Sequence, residues 1–148
     1  MKQFLLLVLS FMTLSACKTY SENEIKIFDQ QIQEYIKKNK LNLDASPSGL
    51  YYKEMTKGEG KLIQYGDKVS ISYKGKLLNG QAFDYQKKPI EFEVRGLIAG
   101  WKEALLSSRK GSELLLIIPP QLGYGDRKLD NIPPNSILYY ELKVVDVK

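Results

Sequence analysis

The 148-residue sequence has no histidine and a single cysteine. The first absence removes the side chain that most often ligates metals and moves protons near neutral pH. The second excludes an intrachain disulfide, an iron–sulfur cluster and a cysteine-based zinc site. There is also no phosphate-cradling glycine loop and no close pair of acids placed to activate water. Hydrolysis, phosphoryl transfer and metal catalysis therefore lack their usual parts, and neither a metal nor a cofactor is expected. Repeats and low-complexity tracts are missing too. The one long apolar run, Phe4 to Leu14, is interrupted by Ser10 and Thr13 and falls well short of the roughly 20 residues that a spanning helix needs.

That run follows Lys2 and is followed by the small residues Ser15 and Ala16, the pattern of a secretory signal over residues 1–16. Leu14-Ser15-Ala16-Cys17 resembles the bacterial lipobox, which implies cleavage before Cys17 and lipidation of its sulfur. Each buried methylene adds about 0.8 kcal/mol of membrane affinity, so two or more acyl chains hold a domain stably. The plainer reading is a free cysteine beside an ordinary cleavage site. Lys18, rather than Asp, after the cysteine resembles outer-membrane sorting, so the expected location is a lipid-anchored cell envelope, at the outer membrane on its periplasmic side. The formal charge of +5 is mild, and its Lys and Arg residues are interleaved with acids. This is a solvated surface, and no nucleic acid is expected as a partner.

From Glu24 to Lys40, Ile25, Phe28, Ile32, Tyr35 and Ile36 recur at helical spacing. This is an amphipathic helix whose stripe must bury against the following domain or against a second copy, giving a monomer or a helix-mediated dimer; packing in cis is favoured. Asn42 to Gly49 has linker chemistry. Leu50 to Met55 reads as an edge strand. Val69, Ile71 and Tyr73 alternate with polar residues, as in a half-buried strand, and Asn79-Gly80 suits a tight hairpin in which both residues tolerate positive φ. After Ala82 to Tyr85 and a basic loop, Gln86 to Pro89, another strand holds Ile90, Phe92 and Val94. Ala99 to Ser107 is a short helix, Glu113 to Ile118 a central strand, and Ser136 to Val147 the closing strand. The long Gly- and Pro-rich connection from Gln121 to Asn135 is of the kind that carries function. The expected fold is α+β, an antiparallel sheet wrapped around one short helix. Aromatic residues Tyr73, Phe83, Phe92, Trp101, Tyr124 and Tyr140, with Asp84 beside Phe83, have the composition of a binding pocket.

Val69 to Gly75, Asn79-Gly80 with Phe83-Asp84, Leu97 to Trp101, Gly123 to Asp126, Ile132 to Ser136 and Leu138 to Val147 occur in an order that resembles the FKBP-type peptidyl-prolyl cis/trans isomerases. The resemblance covers Leu50 to Lys148. It implies a pocket of Tyr73, Phe83, Asp84, Phe92, Leu97, Ile98, Trp101, Tyr124, Ile132 and Tyr140, in which Asp84, Trp101 and Tyr124 carry catalysis. Trp101 is then the floor for a prolyl ring, and the Ile98 N–H and the Tyr124 hydroxyl donate to ligand carbonyls. Proline-containing polypeptides are the implied substrates and macrolides the implied inhibitors. This chain departs from the family where Ile90 replaces a frequent aromatic and Tyr140 a frequent phenylalanine; the segment after Asp84 and the loop from Tyr124 to Ile132 are also shorter. The expected organisation is a leader (1–16), a lipidated cysteine, tether and helix (17–45), and an isomerase domain (46–148). The alternative is a non-catalytic chaperone or partner-binding module using the same pocket and the N-terminal helix.

Overall fold

The alternation at Val69 to Tyr73 and the continuous run from Glu113 to Ile118 become strands of one antiparallel sheet in the computed structural model, which describes residues 19–148. The leader, Cys17 and Lys18 lie outside the described residues. In chain order the elements are α1 (Glu22–Asn39), β1 (Asp44–Ala45), β2 (Tyr51–Thr56), β3 (Lys68–Leu77), β4 (Ala82–Glu93), α2 (Ala99–Leu106), β5 (Glu113–Ile118) and β6 (Leu138–Val147). Short 3-10 turns at Val94–Gly96 and Pro120–Leu122 join them. The sheet order is β1-β2-β5-β6-β3-β4.

The inner face of the sheet carries the main core. Val69, Ile71 and Tyr73 of β3, Leu114, Leu116 and Ile118 of β5, and Leu138, Tyr140, Leu142 and Val144 of β6 pack with Trp101, Ala104 and Leu105 of α2. Eight residues are too few for a helix to persist alone, so α2 exists because this face covers it. The close approach depends on Gly100, where a Cβ would lie 2.7 Å from Ile118 Cγ2.

On the outer face, Tyr51, Ile117 and Tyr139 form a row across β2, β5 and β6. Helix α1 covers this row with Ile32, Phe28, Tyr35 and Ile36. That is why β5 reads as an unbroken apolar run: it is buried on both faces. The helix opens on a capping box between Ser21 and Glu24 and closes at Lys40 in the left-handed region, which satisfies end groups that would otherwise lack partners. Tyr51 Oη donates to Asp29 Oδ1 at 2.6 Å, and Gln33 Nε2 donates to Asp29 Oδ2 at 2.8 Å. Full burial of a side chain such as Ile32 contributes about 1.5–3 kcal/mol. The stripe thus packs in cis, although Ile25 at its end stays exposed.

Three segments differ from the sequence expectations. Gln86 to Pro89 is not a loop but part of β4: Tyr73 pairs with Gln86 and Ile71 with Ile90, so Ser72 alone opposes Lys87, Lys88 and Pro89. This bulge accommodates Pro89 because β4 is an edge strand, where the missing N–H breaks no ladder. The expected linker contains β1, which pairs with β2. At the hairpin only Gly80 takes a positive φ, of 92°. Asn79 acts instead through its side chain, whose Oδ1 accepts from the Gln81 N–H at 2.9 Å.

Candidate functional site

Residues two apart on a strand share a face, so Tyr73 and Gly75 of β3 both look inward. The register then sets Asp84 of β4 and Tyr140 of β6 on either side of Gly75. Gly75 pairs with Asp84 but Lys76 pairs with Ala82, which leaves Phe83 as an extra residue. This second bulge lets the consecutive residues Phe83 and Asp84 serve the same side of the sheet. The Phe83 ring covers Gly75, where a Cβ would lie 2.5 Å from it. Tyr73 Oη donates to Asp84 Oδ2 at 2.6 Å.

Trp101 stands in the first turn of α2, whose N-cap is Ile98. The residue is 4% exposed, and its ring meets Tyr73 at 5.1 Å, Tyr140 at 5.1 Å and Phe92 at 5.8 Å between centroids, with interplanar angles of 81°, 84° and 78°. Such edge contacts contribute about 0.5–1.5 kcal/mol each beyond burial, and three of them hold the indole in one orientation. The indole Nε1–H is buried and has no hydrogen-bond partner among the described residues. The Leu97 N–H donates to Val94 O, whereas the Ile98 N–H reaches no acceptor among the described residues.

Tyr124 closes the site from the loop after β5. Its carbonyl accepts from both the backbone N–H and Nε of Arg127, each at 3.3 Å, and the guanidinium lies 6.0 Å from its ring centroid. Together these groups enclose an open cleft of about 260 Å³ lined by Tyr73, Asp84, Phe92, Gly96, Leu97, Ile98, Trp101, Tyr124 and Tyr140. Of the residues expected in the pocket, Phe83 and Ile132 do not line it. Phe83 packs edge-on behind Tyr140 at 5.4 Å, and Ile132 lies in the core. Gly96 lines the cleft and Gly75 makes room for its wall; neither was singled out in the sequence, where each is one glycine among eleven.

Burial, and then the bond to Asp84, pushes the Tyr73 phenol well above its ordinary pKa. Burial, followed by the neighbouring Tyr124 phenol, does the same to Tyr140. Both stay neutral donors near pH 7. Among the described residues the cleft therefore offers a flat apolar floor, the neutral Tyr73 and Tyr140 hydroxyls, the Asp84 carboxyl group and unused N–H groups, with no thiol, imidazole or amine in its lining. Among the described residues no three His, Cys, Asp or Glu side chains converge to hold a metal ion. A larger hollow of about 450 Å³ lies on the outer face, between Met55, Ser72, Lys74, Glu113, Glu141 and Lys143. Its charges are solvated, Lys143 pairing with Glu113 at 2.8 Å, and Trp101 is not among the residues that line it. Chemistry rather than size marks the inner cleft as the site.

Comparison with known proteins bears on the same region. The family model for FKBP-type peptidyl-prolyl cis-trans isomerases matches residues 59–145. The chain is similar to the FKBP-type peptidyl-prolyl cis-trans isomerase FkpA of Escherichia coli K12, with 37% identity over 134 residues, which is 88% of this chain and 48% of that protein. It thus spans about half the length of that relative. The crystal structure of FkpA from Escherichia coli superposes with a TM-score of 0.74 at 34% identity, over 86% of this chain and 62% of that one. A peptidyl-prolyl cis-trans isomerase from Pseudomonas syringae superposes with a TM-score of 0.71 at 25% identity, over 90% of this chain and 99% of the other.

Proposed function

Because this chain belongs to the FKBP-type peptidyl-prolyl cis-trans isomerase family, we propose that its inner cleft catalyses rotation about the Xaa-Pro bonds of exported polypeptides. The observation that carries this reading is Trp101, held by three perpendicular rings with the unused Ile98 N–H at the head of the same helix. In this reading a prolyl ring rests on the indole, and its preceding carbonyl accepts from that N–H or from the hydroxyl of Tyr124, which lines the same cleft.

No covalent chemistry is needed. The barrier to rotation, about 18–20 kcal/mol, comes from the partial double bond of the amide, and the uncatalysed exchange takes roughly tens to hundreds of seconds. The planar amide is the more dipolar form and the better solvated by water. Stripping that water in an apolar cleft therefore favours the twisted form. Preferential binding of the twisted amide by about 4 kcal/mol gives about a thousandfold acceleration. Asp84 holds the Tyr73 hydroxyl at 2.6 Å, which fixes one wall of the cleft; the mechanism asks no proton transfer of it. A macrolide filling the same cleft competes with substrate.

The test is a proline-limited isomerisation assay on the full chain, with Asp84→Ala and Trp101→Ala alongside. The parent is expected to accelerate exchange and Trp101→Ala to lose most of that rate. A parent no faster than buffer would remove the enzyme reading and leave a non-catalytic peptide-binding module. Such a module would use the cleft or the part of α1 left uncovered around Ile25, most of the stripe being packed on Tyr51, Ile117 and Tyr139.

For location, the reading is a lipid anchor on Cys17 at the outer membrane, facing the periplasm, supported by the sequence Leu14 to Cys17 and by Lys18. No helix among the described residues is long and apolar enough to cross a membrane. Palmitate labelling is expected for the parent and lost in Cys17→Ser. Equal label in both would exclude the anchor.

A further inference from the structure

The start of α1 reaches the loop that carries Tyr124. Tyr20, directly before the cap residue Ser21, packs edge-on against Phe28 at 5.3 Å and 83°. Its hydroxyl donates to Asn135 Oδ1 at 2.6 Å, across 115 positions of sequence. The Asn135 N–H donates to the Gly125 carbonyl at 2.8 Å, and the Gly125 N–H donates to Pro120 O at 3.0 Å. Gly125 follows Tyr124 directly. Both Asn135 and Gly125 hold left-handed backbone, with φ of 60° and 64°, a conformation that costs an asparagine little but still has to be held.

The remaining hydrogen bonds along the outer part of this loop are short-range, and Ile132 anchors it to the core by packing. The Leu129 and Ile132 backbones pair with each other, Arg127 bonds to Tyr124, and Ser136 Oγ donates to Pro133 O. Residues 126–131 are exposed. The Tyr20 hydroxyl connects the base of this stretch to an element distant in sequence. Phe28, on which Tyr20 rests, belongs to the cluster that fixes α1 to the sheet. A helix fixed to the sheet thus holds the base of a loop whose residues 126–131 are exposed.

We propose that Tyr20 is a positioning residue for the cleft: by pinning Asn135 it sets the base of the Gln121 to Asn135 loop and so the placement of the Tyr124 phenol. It touches no substrate and acts through Asn135 and Gly125. The N-terminal helix therefore does more than shield an apolar row; it shapes the rim of the site on the far side of the sheet.

The kinetic arm of the test rests on the isomerase reading, and the exchange arm does not. In the full chain, Tyr20→Phe keeps the ring on Phe28 and removes only the hydroxyl. Asn135→Gly keeps the left-handed backbone and removes the acceptor. Each is expected to speed amide hydrogen exchange at Gly125 and Asn135 about 2- to 10-fold, the span of one ordinary hydrogen bond, with β5 and β6 amides unchanged. Each is also expected to raise KM by a similar factor with kcat nearly constant, and the double variant to be no worse than the worse single one. Exchange at the parent's rate in Tyr20→Phe overturns the proposal. So does faster exchange with unchanged KM, or additive effects in the double variant. An inactive parent would defeat the isomerase reading alone, and exchange would then decide whether Tyr20 holds the loop.

Discussion

Tyr139 and Tyr140 are neighbours on one strand, of one residue type and similarly buried, at 7% and 3% exposure, yet they stand in different environments. Tyr139 looks outward beneath α1, where Tyr35 meets it edge-on at 6.2 Å and Lys76 Nζ lies 4.1 Å from its ring centroid. Tyr140 looks inward, where Trp101, Tyr73 and Phe83 surround it and its remaining edge lines the cleft. The outer ring is closed over by a helix whose apolar groups it satisfies. The inner ring borders unused donors and open space. Burial alone does not separate a structural tyrosine from a binding one; what separates them is whether the neighbouring polar groups already have partners.

The largest contrast is expected from truncating each ring. Tyr139→Ala and Tyr140→Ala should each lose about 3–5 kcal/mol in denaturant unfolding, but only Tyr140→Ala should cut the isomerisation rate, by about 100-fold or more. An equal loss of rate in Tyr139→Ala would erase the distinction between the faces. Smaller but sharper is Gly75→Ala, whose methyl would press on the Phe83 and Tyr140 rings at 2.5 and 2.7 Å. A cost of about 1–3 kcal/mol with a reduced rate is expected; unchanged kinetics would show that the rings can shift without harm to the cleft.

The smallest effect concerns pH, and here the two faces should agree. Burial, then the Glu141 carboxylate, pushes Tyr139 up to about 12, and Tyr73 and Tyr140 are raised as well. The unfolded chain ionises its phenols near 10, before the folded protein does. Stability from these groups is therefore complete below pH 10 and falls as pH rises past it. Tyr139→Phe and Tyr140→Phe should each flatten that alkaline decline, as read by thermal unfolding between pH 9 and 11. The isomerisation rate should stay level from about pH 6 to 9, since the raised Tyr73 and Tyr140 phenols remain protonated there. A step in rate within that window would mean that another group titrates in catalysis.

Much of the fold was legible because its causes are local. Alternation at Val69, Ile71 and Tyr73 follows from the pleat, and the stripe through Phe28, Ile32, Tyr35 and Ile36 from the helical repeat. Tyr73, Asp84, Leu97, Ile98, Trp101, Tyr124 and Tyr140, all within the segments that resemble the family, line the cleft. Its bulges were not legible. Gln86 to Pro89 reads as a basic loop because Pro and paired lysines are loop chemistry, and only the pairing partners on β3 reveal a strand. Phe83 and Asp84 should point to opposite faces by alternation, and the bulge at Phe83 sets that aside. Ile132, a pocket residue by resemblance, is drawn into the core by the turn that pairs Leu129 with Ile132.

By itself the sequence determined most of the helices and strands and which aromatic residues were available for a site. These depend on composition and on forces acting within a few residues. Only the tertiary structure decided that Tyr139 would be covered and Tyr140 left facing a cleft, that two bulges would bring Phe83, Asp84 and Pro89 into β4, and that Tyr20 would close on Asn135. Each of those outcomes depends on a partner far along the chain, and register and contact across such distances are set by packing of the whole sheet rather than by any local preference.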